Sequence, residues 1–389
     1  MKVRNKMTRE VYMDNAATTR PYDEVIRTVA DAMTEYYGNP SSLHRLGKKA
    51  EDITEQARKT VALSIGAKAD EIYFTSGGTE SDNIGIIGSV MANRRRGNKI
   101  ITTSIEHPAV SECFKYLESE GFNVVHIPVD SDGVTDLDKL SEELDGNTIL
   151  FSGMLVNNEV GSVLPVDEIK KLIDEKAPGC VFMADGVQAY GKIDIDVKRQ
   201  GIDILSISSH KIHGPNGVGA LYVSKDTKIR PTVFGGGQEL GIRSGTENVA
   251  GILGFETAIK KTFENYDSDK EKLKSLKANL TRGLLEIDGA VINSPDNGVE
   301  NILNVSFVGV KSEVLLHVLE SKGIYVSSGS ACSSHKKTAS HVLTSMGLDA
   351  KRSDSAIRFS LSALNDDEEI EYTVSVLKKE VPILKKIMR

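Results

Sequence analysis

The chain has 389 residues, 39% hydrophobic and 26% charged, a composition that excludes wholesale disorder and predicts two or three packed domains at about 150 residues each. Basic residues number 48 against 55 acidic ones, a net charge of −7. That balance gives the molecule no general attraction to nucleic acid or to an anionic membrane.

Met1 to Glu10 is polar and lacks the apolar centre of a signal peptide. The segment up to about Lys68 is expected to pack on the smaller of two domains. From Ile72 onward, short apolar runs alternate with helical patterns. Residues 72–74 read as a strand and 81–93 as the helix after it. Between them lies Thr75-Ser76-Gly77-Gly78-Thr79-Glu80. Gly77 and Gly78 let the backbone approach a ligand closely, free N–H groups at the helix start suit a phosphate, and Thr79 adds a hydroxyl. A plain capping turn has the same look. No Gly-Lys-Ser/Thr follows, so this is not a Walker A loop. Arg94, Arg95 and Arg96 read as the cationic end of that helix rather than as a nucleic-acid contact.

Strand 99–104 leads to Glu106-His107-Pro108 and a helix near 109–119. His107 could stack on a flat ligand and exchange protons near neutral pH, or be an ordinary loop histidine. Strands 124–128 and 149–155 follow, and Asn158, just beyond the second, could donate to a substrate carboxylate. Strand 181–184 ends at Asp185, an anion that could face a protonated ring nitrogen or merely cap a turn. Gln188, three residues on, could point the same way. Strand 204–208 runs into Ser209-His210-Lys211. An ordinary lysine, with a pKa near ~10.4, is a poor nucleophile; one desolvated at a strand end can react as the neutral amine. Strand 220–223 closes the series. This alternation predicts a mostly parallel α/β sheet with helices on both faces and ligands beyond the carboxyl ends of its strands.

A helical pattern over 248–286, broken near 266–268, connects to a smaller α+β domain. Its strands fall at 303–307, 324–326 and 357–361, and its helices at 312–321 and 367–379. The last helix opens on Asp366-Asp367-Glu368-Glu369, which complements the helix dipole. The expected limits are an N-terminal segment 1–20, a large domain 21–260 and a small domain 261–389. Arg358 sits in a strand that otherwise reads as core, so it needs an anionic partner, either a substrate carboxylate or an internal ion pair. Cys332 lies in the small, polar run Ser327-Ser328-Gly329-Ser330-Ala331-Cys332-Ser333-Ser334, unlike a packed cysteine; a harmless surface thiol is the alternative. Cys113 and Cys180 are expected to be structural. Three scattered thiols without a CxxC pair point to no disulfide framework, no metal centre and a reducing, cytoplasmic compartment. No apolar run approaches the ~20 residues that span a bilayer.

In order along the chain, Tyr12-Met13-Asp14-Asn15-Ala16-Ala17-Thr18-Thr19, Gly38-Asn39-Pro40-Ser41-Ser42, residues 75–80, 106–110, 157–161, 184–188 and 208–214, Arg243-Ser244-Gly245-Thr246, residues 328–333 and Arg358 resemble the NifS/IscS-like cysteine desulfurases. That family falls in the class V aminotransferases, among the fold-type I pyridoxal-phosphate enzymes. The resemblance implies that Lys211 anchors the cofactor. It implies that Asp185 faces the pyridine nitrogen, Gln188 the phenolic oxygen and His107 the ring face. The phosphate site would be Gly78, Thr79, Ser208 and His210, with Thr246 reaching the phosphate of a neighbouring subunit in a homodimer. Asn158 and Arg358 would hold the carboxylate of L-cysteine.

Cys332 would receive the sulfur as a persulfide and pass it to an acceptor protein, an iron–sulfur scaffold or a tRNA-thiolation enzyme, leaving L-alanine. Neither direct nucleic-acid binding nor a membrane is implied. Two departures stand out: Leu240, where many relatives carry arginine, and a chain that stops at Arg389, soon after its last helix. Competing expectations are a selenocysteine lyase or aminotransferase on the same scaffold, and a non-catalytic protein presenting Cys332 to a partner.

Overall fold

The computed structural model describes residues 10–328 and 340–388. The chain opens with β1 (Val11–Tyr12) and two helices, α1 (Asp23–Glu35) and α2 (Arg45–Ser64). There follow β2 (Ile72–Thr75), α3 (Gly78–Asn93), β3 (Lys99–Thr103), α4 (Pro108–Ser119), β4 (Asn123–Ile127), α5 (Leu137–Glu143), β5 (Thr148–Met154), α6 (Val166–Lys176), β6 (Val181–Asp185), β7 (Ile204–Ser208) and β8 (Gly219–Val223). Strands β5 to β8 are buried along their whole length. Such continuous apolar runs mark a sheet covered on both faces.

These strands form one seven-stranded sheet, ordered β2-β8-β7-β6-β5-β3-β4. The pairs from β4 to β7 are parallel, whereas β8 runs antiparallel to both β7 and β2. Successive side chains alternate between two cores, as the period of a strand requires. Phe151, Phe182 and Leu205 face one core, and their neighbours Leu150, Met183 and Ile204 face the other, beneath α3 and α4.

Helix α7 (Val249–Glu264) covers the first of these cores, and α8 (Tyr266–Leu285) continues the chain after a break at Asn265. The remaining elements are β9 (Ala290–Ile292), β10 (Ile302–Phe307), α9 (Ser312–Ser321), β11 (Ile324–Tyr325), β12 (Ser327–Ser328), α10 (His341–Ser345), α11 (Ala350–Ser353), β13 (Ala356–Ser360) and α12 (Asp367–Ile387). Strands β12-β13-β10-β9 make an antiparallel sheet whose core, with Phe307 and Phe359, is covered by α8, α9 and α12. The acidic run before α12 forms a capping box: Asp366 accepts from the Glu369 N–H at 2.8 Å and Glu369 accepts from that of Asp366 at 3.3 Å. Helix α12 continues past the expected end at 379 through Pro382 to Ile387.

The N-terminal segment does not pack as one piece on the smaller sheet. Val11 and Met13 enter that core, with β1 paired to β11, but α1 and α2 lie against α7 and bury Val25, Ala32, Ala57 and Val61 in the larger one. Their amphipathic faces fit any apolar surface, so their sequence could not say which. Among the described residues no helix is long and apolar enough to cross a membrane.

Candidate active site

A cavity of about 370 Å³ opens at the carboxyl ends of β5, β6 and β7, between the two sheets. Of the expected site residues, Gly78, Thr79, His107, Asn158, Asp185, Gln188, Ser208, His210, Lys211 and Arg358 all line it. Thr246 does not. It is exposed and lines a separate small cleft with Ser76 and Arg243. Cys332 lies outside the described residues.

One end of the cavity is built for an anion. Gly77 has φ 150°, in the region that favours glycine, and starts α3 without a side-chain cap. A Cβ on Gly78 would sit 2.5 Å from Val187 Cγ2, so the turn closes only with glycine there. The helix N–H groups are thus left to a ligand. Close by, the Ser208 hydroxyl is buried with no hydrogen-bond partner, an arrangement that a ligand oxygen would satisfy. His210 Nδ1 lies 3.1 Å from Thr18 Oγ1, and burial, aided by the Lys211 charge, pulls its pKa down to about 4.

Asp185 ends β6 and is 3% exposed. Burial raises its carboxyl to about 6, opposed by the Val187 N–H (2.9 Å) and the charge of Lys211. Lys211 closes the short 3₁₀ turn after β7, and its Nζ donates to the carbonyls of Ala16 (2.5 Å) and Ala17 (2.8 Å). Gln188 Nε2 donates to the same Ala16 carbonyl at 2.7 Å. Ala16 and Ala17 thus wall the cavity and hold the lysine and the glutamine together.

His107 is the N-cap of α4, its Nδ1 accepting from the Ala109 N–H at 3.1 Å. With Nδ1 an acceptor, the ring proton of the neutral form is on Nε2. Burial, with Lys211 and His341 nearby, lowers its pKa to about 4, so the ring is neutral near pH 7.

At the opposite side Arg358, 5% exposed, leaves β13. Its Nη2 pairs with Asp14 Oδ1 at 2.7 Å, its Nη1 donates to the Asn158 carbonyl at 3.0 Å, and its Nε has no partner. The internal ion pair exists, and the Nε proton remains for a ligand.

Three further acids were not singled out from the sequence: Asp82, Glu106 and Glu159, each under 7% exposed. Glu159 accepts from Ser340 Oγ at 2.5 Å, and burial raises it to about 7. For Asp82 a signal existed, an acid on the otherwise small and apolar face of α3. Leu240 is 76% exposed at φ 53°, next to Glu239, which is buried in a 2.6 Å pair with Arg58.

The family model described as Aminotransferase class-V matches residues 11–373. A Clostridium botulinum (strain Hall) protein named cysteine desulfurase IscS is 43% identical over 377 residues, 96% of this chain and 94% of that one. One of the same name from Dictyoglomus turgidum is 42% identical over 383 residues, 98% of this chain and 97% of that one. A solved structure named NifS-like protein superposes with a TM-score of 0.92 at 39% identity, over 97% of this chain and 100% of that one. Another, SspA in complex with cysteine, gives 0.80 at 32% identity, over 92% of this chain and 100% of that one.

Proposed function

The chain belongs to the aminotransferase class-V family, and from that premise we infer a pyridoxal-phosphate-dependent cysteine desulfurase that converts L-cysteine to L-alanine and hands on the sulfur. The observation that carries this reading is the single cavity on which Lys211, Asp185, the uncapped start of α3 and Arg358 converge. The residues fit the cofactor: the unpartnered Ser208 hydroxyl and the free N–H groups of α3 suit its phosphate, Asp185 its ring nitrogen and Lys211 its aldehyde. When bound, pyridoxal phosphate supplies an electron-withdrawing ring that stabilises negative charge at the substrate α-carbon.

Each residue then has a task. Lys211 anchors the cofactor and, once released, its neutral amine takes the α-proton. His107, neutral and fixed by its cap, would hold or move a proton at Nε2. Arg358 and Asn158 orient the cysteine carboxylate, a role supported by the unpartnered Nε. Cys332 attacks the substrate sulfur as a thiolate. An S–S bond forms, the Cβ–S bond breaks with its electron pair left on the carbon side, and a proton completes alanine. The resulting persulfide passes to an acceptor by thiol exchange; the candidates are an iron–sulfur scaffold or a tRNA-thiolation enzyme.

A homodimer is part of the same reading, with Thr246 contributed to the partner's phosphate site. The exposure of Thr246, and of Phe234 (83%) and Leu240 (76%) in the same stretch, supports it. A cytoplasmic setting is supported by the free, buried Cys113 and Cys180.

The test is direct. The purified protein is expected to be yellow, and Lys211→Ala to lose the absorbance of the covalently held cofactor. Cys332→Ser is expected to keep the colour but release no sulfide from cysteine. An unchanged Lys211→Ala spectrum, or full sulfide release by Cys332→Ser, contradicts the assignment.

A further inference from the structure

Behind Asp185 lies a second carboxyl. Asp82, in the second turn of α3, is 1% exposed, lines the same cavity and forms no ion pair among the described residues. Ser206 stands between the two acids. It is directly opposite Asp185 in the β6–β7 register, its Oγ lies 2.5 Å from Asp82 Oδ1, and its hydroxyl is among the groups that favour the ionised Asp185 carboxyl. Strand parity explains the meeting: Asp185 and Ser206 follow Met183 and Ile204 onto the α3 face of the sheet.

A hydroxyl has one proton and two lone pairs. With both carboxyls ionised, Ser206 could donate to only one, and the other would set a buried negative charge against a lone pair. We propose that one proton is held between them: Asp82, as the acid, donates to Ser206 Oγ, and Ser206 donates to the Asp185 carboxylate. Every donor then has an acceptor, and the pair carries a single negative charge.

The surroundings decide which acid keeps the proton. Asp185 has the Val187 N–H and the facing Lys211 charge to stabilise its ionised form. Asp82 has burial and the negative charge of Asp185 against ionisation, which push it well above the carboxylate range. Another titratable group near it is Cys113 on α4, whose thiol is itself raised, first by burial and then by Asp82. Asp82 is therefore a positioning residue. It fixes the Ser206 hydroxyl and leaves Asp185 charged and aimed into the cavity. Its consequence for the ring nitrogen rests on the cofactor reading above; the shared proton does not.

The experiment is infrared spectroscopy at about pH 7 on cofactor-free protein made with ¹³C-labelled aspartate. A carboxylic-acid band that moves with the label and vanishes in Asp82→Asn is expected. No labelled acid band, or one that survives in Asp82→Asn, overturns the proposal without needing any variant to be active. Cofactor affinity is the second readout. Asp82→Asn, whose amide still donates to Ser206, is expected to bind pyridoxal phosphate within about twofold of the unsubstituted protein, and Asp82→Ala roughly tenfold more weakly. Equal affinities of the two variants overturn the positioning role. Protein that shows the band yet takes up no pyridoxal phosphate would instead refute the proposed function and leave the proton where it is placed.

Discussion

Arg358 shows how a buried side chain can serve two needs at once. It reaches across to Asp14, 344 positions earlier, and still keeps Nε unpartnered at the cavity. Its charge in an apolar strand was legible as a demand for an anion. The identity of the partner was not, because no spacing links residues that distant. Arg358→Lys cannot reproduce the planar fork. It is expected to raise the KM for cysteine by roughly tenfold, with the cofactor absorbance unchanged; steady-state kinetics check this.

Glu106 gives a pH signature at the same scale. Burial raises its carboxyl to about 8, against hydrogen bonds from Thr103 and the Met154 N–H. The folded chain therefore keeps a proton that the unfolded chain releases above its ordinary value near ~4.3. Stability from this group is full below that value and declines as pH rises toward about 8. Glu106→Gln is expected to flatten the decline, and denaturant unfolding at about pH 6 and about pH 9 measures it. Glu106 stood within a motif read for its histidine. Its burial comes from the fold, which sequence could not display.

The start of α3 is the element on which ligand binding turns. Its glycines, its place after a strand and its likeness to a phosphate site were all readable, since a turn with free N–H groups is a local property. Less readable was the reason for two glycines rather than one. Gly77 is needed for its positive φ, and Gly78 for the close approach of Val187. Gly77→Ala is expected to cost about 1–3 kcal/mol of stability and to weaken pyridoxal phosphate retention, measured by thermal melting and by equilibrium dialysis. The mostly parallel sheet followed from β–α alternation. The reversed direction of β8 did not, because a fully buried apolar strand reads the same either way. The dual allegiance of the N-terminal segment was hidden for a similar reason: β1 follows hydrogen bonds and α1 follows an apolar face, toward different cores.

For the whole molecule, the residues that gather at one cavity span positions 14 to 358, so only the completed fold assembles the site. Thr246 is the exception, outside that cavity, and the task proposed for it above needs an assembly of two chains. Phe234→Glu, a charge on an exposed aromatic, is expected to shift the protein toward monomer in sedimentation velocity and to lower cofactor retention with it. A monomeric unsubstituted protein with full activity would remove Thr246 from the mechanism.

Sulfur is expected to leave cysteine and arrive on one thiol. Incubation of the purified enzyme with ³⁵S-labelled L-cysteine, followed by peptide mapping without reductant, tests it. Label is expected on the peptide containing Cys332, matched by an equal amount of alanine. Label on Cys113 or Cys180, or alanine formed with no protein-bound sulfur, would contradict it.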